Sequence, residues 1–190
     1  WCYFITGSIE RLQKEYDITI QWRAFPLHPE TPEDGQLLED LFRVSPEKVQ
    51  EMVSRLKRTA EACGLPFGER TMTCNSRLAQ ELGLWAETTG KGEAFHMAAF
   101  RAYFVDGINL AKVPALLQLA RDVGLPLEEA EEVLESRSYQ GAVDKDWAES
   151  KFKNITAVPT FVMNRHKLVG AQGYESLVAM VTENGARKRQ

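Results

Sequence analysis

The residues able to carry chemistry are few, and they gather near the two ends of the chain. Cys2 follows Trp1 and precedes Tyr3 and Phe4, after which Ile5, Ile9, Leu12 and Tyr16 recur at intervals of four, three and four. That is the spacing of one helix face, and it puts Cys2 in the first helical turn. Unpaired backbone N–H groups and the helix dipole favour an anion there, so a thiol at that point becomes reactive near neutral pH. A buried thiol among aromatic residues is the other reading of the same residues. At the far end, Ile155 to Val169 contains Val158-Pro159-Thr160-Phe161. Phe161 to Met163 and Lys167 to Val169 read as two short strands joined by a polar Asn164-Arg165-His166 loop, a hairpin. Pro159 stands just before the first strand, where a missing N–H is tolerated, and it holds Val158 extended.

The remaining candidates read as structural. Cys63 ends the apolar stripe Val49, Met52, Val53, Leu56, Ala60 and is expected to face a core. Cys74 lies in a loop ten residues on, and we expect the two not to pair. Three cysteines are too few and too uneven for a disulfide framework, and none has metal-ligand spacing. His28, His96 and His166 form no metal-spaced pair and read as structural or solvated. Neither a metal nor a resident cofactor is expected.

Several elements must position these groups. Ile18 to Phe25 alternates apolar and polar and reads as a strand, ended by Pro26, Pro29 and Pro32. The parallel strand that should feed the first helix is missing from the sequence, and we expect it upstream. From Asp34 to about Ser138 the pattern is almost wholly helical. Ser45-Pro46-Glu47 starts one helix and Gly64 stops it. Asn75 caps the next, Phe95 to Tyr103 marks a third, Val113 to Val123 a fourth, and Leu127 to Glu135 a fifth. Tyr139 to Phe152 returns the chain to the hairpin, Tyr174 to Thr182 is a last helix, and the basic tail from Ala186 reads as solvated and frayed.

Composition narrows the function classes. With 190 residues, 44 % of them hydrophobic, the chain can bury one core, or one core with a large insertion. The net charge of −4 and scattered basic residues argue against nucleic-acid binding. No apolar run reaches the ~18 residues needed to cross a membrane.

Trp-Cys-Tyr before a helix, Trp22-Arg-Ala-Phe-Pro-Leu-His-Pro29, a helical insertion, Ala157-Val-Pro-Thr-Phe161 and Leu168-Val-Gly-Ala-Gln-Gly-Tyr-Glu-Ser-Leu177 together resemble the DsbA-like thioredoxin superfamily. The similarity is greatest to its FrnE-like branch, which neighbours the 2-hydroxychromene-2-carboxylate isomerases and the kappa-class glutathione transferases. The resemblance implies an α/β thioredoxin fold with an all-helical insertion. We expect residues 1–33 and 139–190 to form the thioredoxin-like domain and residues 34–138 the insertion. It also implies a Cys-Pro-Trp-Cys site in which Cys2 is the second, resolving cysteine. The first would lie three residues before Cys2, outside this sequence. Trp1, Val158 and Pro159 would bind substrate, with Pro159 following a cis peptide. The expected activity is thiol–disulfide exchange on a protein or small-molecule disulfide, in the cytoplasm, with glutathione as an optional co-substrate. A glutathione-dependent isomerase or transferase is the alternative reading. A non-catalytic peptide-binding module is a further one. In the glutathione-binding branch an asparagine near Asn75 contacts the ligand, though helix capping explains this one equally well.

Overall fold

A computed structural model describes residues 1–190. In chain order the elements begin with α1 (Thr6–Glu15), β1 (Gln36–Leu37), α2 (Leu38–Phe42), α3 (Pro46–Ala62) and β2 (Met72–Thr73). Five helices follow: α4 (Arg77–Thr88), α5 (Gly92–Phe104), α6 (Val113–Asp122), α7 (Leu127–Ser136) and α8 (Gln140–Phe152). A hairpin of β3 (Thr160–Met163) and β4 (His166–Val169) leads to α9 (Tyr174–Glu183). The chain divides into two compact units, residues 1–23 with 149–190, and residues 24–148. No helix is long and apolar enough to cross a membrane.

The first unit is built on the periodicities of α1 and α9. Ile5, Ile9, Leu12 and Tyr16 bury against Leu177 and Val181, and Phe161, Met163 and Leu168 add the inner face of the hairpin. The strands pair antiparallel with Met163 opposite His166 and Thr160 opposite Val169. The loop is therefore Asn164-Arg165 alone, one residue shorter than the sequence suggests, with Asn164 at φ +53.

Residues 18–25 depart from expectation. Ile18, Ile20 and Trp22 turn towards the core while Thr19, Gln21 and Arg23 face solvent, so the alternation is real. Yet the segment forms no strand, because no described backbone lies alongside to complete a ladder. Alternation decides which side chains face inward; a strand also needs a partner. The basic tail is likewise not frayed. Asp17 N donates to Arg187 O at 2.8 Å, Arg189 N to Glu15 O at 2.8 Å, and Arg189 Nε to Tyr16 O at 2.9 Å. Main-chain bonds anchor it to the end of α1, which composition alone does not reveal.

The second unit is helical. Leu82, Phe95, Leu116, Ala120 and Ala130, from α4, α5, α6 and α7, form its buried centre. A smaller cluster joins Leu38 of α2 to Val49 and Val53 of α3. The ends of α3 match the sequence signals. Ser45 Oγ accepts from Lys48 N at 3.4 Å with Pro46 at the first helical position. At the other end Gly64 takes φ +68, Gly64 N donates to Glu61 O and Leu65 N to Ala60 O, a Schellman closure. That reversal corrects the expectation for Cys63. The helix stops at Ala62, and the thiol one residue later faces solvent.

His96 of α5 gives this unit a pH dependence. Burial lowers its pKa from 6.5 to about 4, so the folded state keeps it neutral. Between those values the unfolded chain binds the extra proton. The contribution of His96 to stability is therefore complete above about pH 6.5 and is lost as pH falls towards 4. Glu87 lies 3.3 Å away. Burial and the charge of Glu93 raise its own pKa, so it acts in the opposite sense. His96→Gln, with Glu87 retained, should flatten denaturant midpoints over this window; an unchanged slope would contradict the assignment.

Candidate functional site

The turn carrying Cys2 is held by its neighbours. Tyr3, Phe4 and Ile5 are buried, and Tyr3 O accepts from Thr6 Oγ1 at 2.8 Å and from Thr6 N at 3.3 Å. The α-helix proper starts only at Thr6. Cys2 thus lies in a turn before α1 rather than within its first helical turn. Its thiol is half-buried, and that burial raises its pKa above the ordinary cysteine value. At neutral pH it is a protonated, weakly nucleophilic thiol. Trp1 is 52 % exposed and meets Phe4 edge-on, ring centroids 5.6 Å apart. An aromatic surface therefore lies next to the thiol in sequence.

At the other end of the same unit, Val158 is half-buried, Pro159 is buried, and the peptide between them is cis. Pro159 O accepts from Gly170 N at 2.8 Å, and Thr160 Oγ1 donates to Ala157 O at 2.6 Å, which fixes the approach to β3. β3 bonds β4 along one edge. Trp1, Cys2, Val158 and Pro159 all belong to the unit of residues 1–23 and 149–190, whereas Cys63 and Cys74 belong to the other.

All three thiols are free. Cys74 is half-buried, its Sγ accepting from Leu110 N at 3.4 Å, and burial raises its pKa. Asn75 is committed to the fold. Its Oδ1 accepts from Arg77 N at 2.9 Å, while Nδ2 donates to Pro29 O at 3.1 Å and Thr31 O at 2.8 Å. The cap position itself falls on Ser76, one residue later than expected, and Asn75 acts from just outside the helix by taking the first helical N–H. His28 stands at φ +51 with its ring edge-on to Phe42, and His166 Nδ1 lies 2.6 Å from Asn184 Nδ2.

The helical unit also contains an ion cluster that sequence reasoning missed. Glu81, fully buried, accepts from Arg77 Nε at 2.7 Å and from Arg137 Nε and Nη2 at 2.7 Å each. Burial pushes its carboxyl up, but hydrogen bonds and charges from the two arginines outweigh this and hold it below the usual carboxylate range. The Arg77–Glu81 pair, at i and i+4 of α4, was readable. Arg137, fifty-six residues on, was not.

Four likenesses to known proteins bear on this geometry. A family model described as a DSBA-like thioredoxin domain matches residues 1–181. A probable DsbA oxidoreductase from Streptomyces coelicolor is 27% identical with a TM-score of 0.88, covering 96% of this chain and 84% of its own. Two further structures share the fold. A 2-hydroxychromene-2-carboxylate isomerase is 19% identical (TM-score 0.71; 97% of this chain, 88% of its own). The cytosolic disulfide reductase DsbM from Pseudomonas aeruginosa, with GSH, is 19% identical (TM-score 0.67; 97% and 93%).

Proposed function

Because the chain belongs to the DsbA-like thioredoxin domain family, we propose that it is a thiol–disulfide oxidoreductase in which Cys2 is the resolving thiol. The observation that carries this reading is the place of Cys2, in the turn before α1 and in the same unit as the cis Val158–Pro159 peptide. Half-buried and with a raised pKa, it suits a thiol that acts second, on a sulfur already delivered to it. This reading requires an attacking cysteine three residues before Cys2, the position implied by the resemblance to a Cys-Pro-Trp-Cys site. Its thiolate opens the substrate disulfide, forming a mixed disulfide and releasing one substrate thiolate. Cys2 then loses its proton and attacks the attacking cysteine's sulfur, which closes the protein disulfide and releases the second substrate thiolate. The substrate is thereby reduced by two electrons and the protein oxidised. Run backwards, the same steps oxidise a dithiol.

Trp1 offers an aromatic surface beside the thiol, and the cis Val158–Pro159 backbone offers peptide groups to an extended substrate segment. The substrate is a protein or small-molecule disulfide. Glutathione as co-substrate is supported by the structure of DsbM with GSH, and a cytoplasmic location by that reductase being cytosolic.

Cys2→Ser in the full-length protein tests the assignment. Turnover of a disulfide substrate should fall by orders of magnitude while a mixed disulfide with the substrate accumulates and is released by dithiothreitol. Undiminished turnover without an adduct would instead favour glutathione-dependent isomerisation or transfer, the reading to which the isomerase likeness lends support. Peptide binding without any turnover would favour a non-catalytic module.

A further inference from the structure

The loop that leads from α8 into β3 is fastened at both ends by side chains of the hairpin. At its start Lys167 Nζ, from β4, donates to Lys153 O at 2.7 Å and to Asn154 O at 3.4 Å. Asn154 turns the chain out of the helix there, at φ +52. At the other end Thr160, the first residue of β3, reaches back along the chain, and its Oγ1 donates to Ala157 O at 2.6 Å. Threonine hydroxyls bond nearby backbone in this way where regular structure stops. Pro159 O accepts from Gly170 N at 2.8 Å, so the carbonyls on either side of Val158 are both committed to the fold.

The bond from Thr160 also sets a direction. The Ala157–Val158 peptide is trans and planar, so its carbonyl and the Val158 N–H are opposite ends of one rigid group. Holding Ala157 O on the side of the Thr160 hydroxyl turns the Val158 N–H to the opposite side. An extended chain that adds to backbone is recognised through such N–H and carbonyl groups, and their direction decides whether it is met.

We propose that Thr160 is a positioning residue for substrate: through Ala157 O it aims the Val158 N–H at a backbone carbonyl of the incoming chain. The inference rests on the disulfide-exchange reading above and names, within it, the favoured substrate as a disulfide that carries a peptide backbone. A disulfide without peptide groups has no carbonyl for that N–H and gains nothing from its direction.

Pre-reduced full-length protein mixed with excess disulfide tests it. Loss of protein thiols gives a second-order rate constant for each substrate and a half-saturating concentration for the peptide. The substrates are a disulfide-linked dimer of a short, end-capped peptide and bis(2-hydroxyethyl) disulfide. Thr160→Val keeps the branched shape and removes the hydroxyl. It should lower the rate constant for the peptide about fivefold relative to that for the small disulfide, the effect of about one hydrogen bond. That loss should come from the half-saturating concentration rather than the limiting rate. Thr160→Ser, which keeps the hydroxyl, should restore the wild-type ratio. If Thr160→Val loses its circular-dichroism melting transition, Thr160→Ala against Thr160→Ser makes the same comparison. An unchanged ratio, both substrates slowed alike, or a serine variant no better than the valine would overturn the proposal and leave disulfide exchange standing. Loss of no thiol to either disulfide in the wild-type protein would overturn the exchange reading itself, and the proposal with it.

Discussion

Glu81→Ala should be among the most destabilising single changes in this protein, costing about 3 kcal/mol. The carboxylate is fully buried, while its partners Arg77 and Arg137 keep 17% and 39% of their side-chain surface. Removing the anion leaves two cations that folded around it. Breaking a buried pair in this way costs roughly 3–5 kcal/mol, and the lower end applies because Arg137 can turn to water. Arg77 would retain Asp144 at 2.8 Å and its stacking on Trp147 at 4.6 Å, so the damage should concentrate where α4 meets Arg137. Because Glu81 titrates below its unfolded value, its contribution is present above the ordinary carboxylate pKa and lost as pH falls through the lower folded one. Urea denaturation at neutral pH measures this. A loss under about 1 kcal/mol would mean that the cluster behaves like an exposed surface pair.

Gly68→Ala should cost a comparable amount, for a steric reason. A Cβ at this position would stand 2.1 Å from Val105 O and 3.0 Å from Val105 C. Both are backbone atoms, which cannot swing aside as the tip of a side chain can. Gly68 N donates to Phe104 O at 2.9 Å, and Phe67 stacks on Phe104 with centroids 6.0 Å apart. The methyl therefore has to push the backbone at Gly68 away from that at Val105 and break that bond, for about 3 kcal/mol. Gly107→Ala is the comparison. Nothing lies within 4 Å of its added Cβ, but its φ is +67, so the expected cost is only about 1 kcal/mol. Equal losses at the two positions would show that the backbone at Gly68 relaxes around the added methyl, so that close approach does not set the effect there.

What the sequence disclosed and withheld follows from the range of each interaction. Ser45, Pro46 and Gly64 act on backbone within a few residues, so the boundaries of α3 were legible. The same holds for the 3.6-residue stripes of α1 and α9, whose shared core fixes the hairpin. Signals that depend on a distant partner were not legible. The alternation of residues 18–25 gave the burial pattern correctly but could not supply a neighbouring strand. The tail from Ala186 looked loose because its hydrogen bonds run to Glu15, Tyr16 and Asp17, more than one hundred and sixty positions away. Asp146 is buried in a helix that reads as polar, with Ala24 N donating to it at 2.9 Å; an acidic residue ordinarily signals the surface. Cys2 lies between these cases. Its nearness to a helix start was readable, but the burial that raises the pKa of its thiol was not.

The measurement that tests the central claim most directly is intact-mass spectrometry of the full-length protein, alkylated with and without prior reduction. A resolving role for Cys2 predicts a further cysteine three residues before it, and two thiols that alkylate only after reduction. Peptide mapping should then identify them as that cysteine and Cys2. A serine at the upstream position, with Cys2 alkylated equally in both samples, would contradict a disulfide-exchange function.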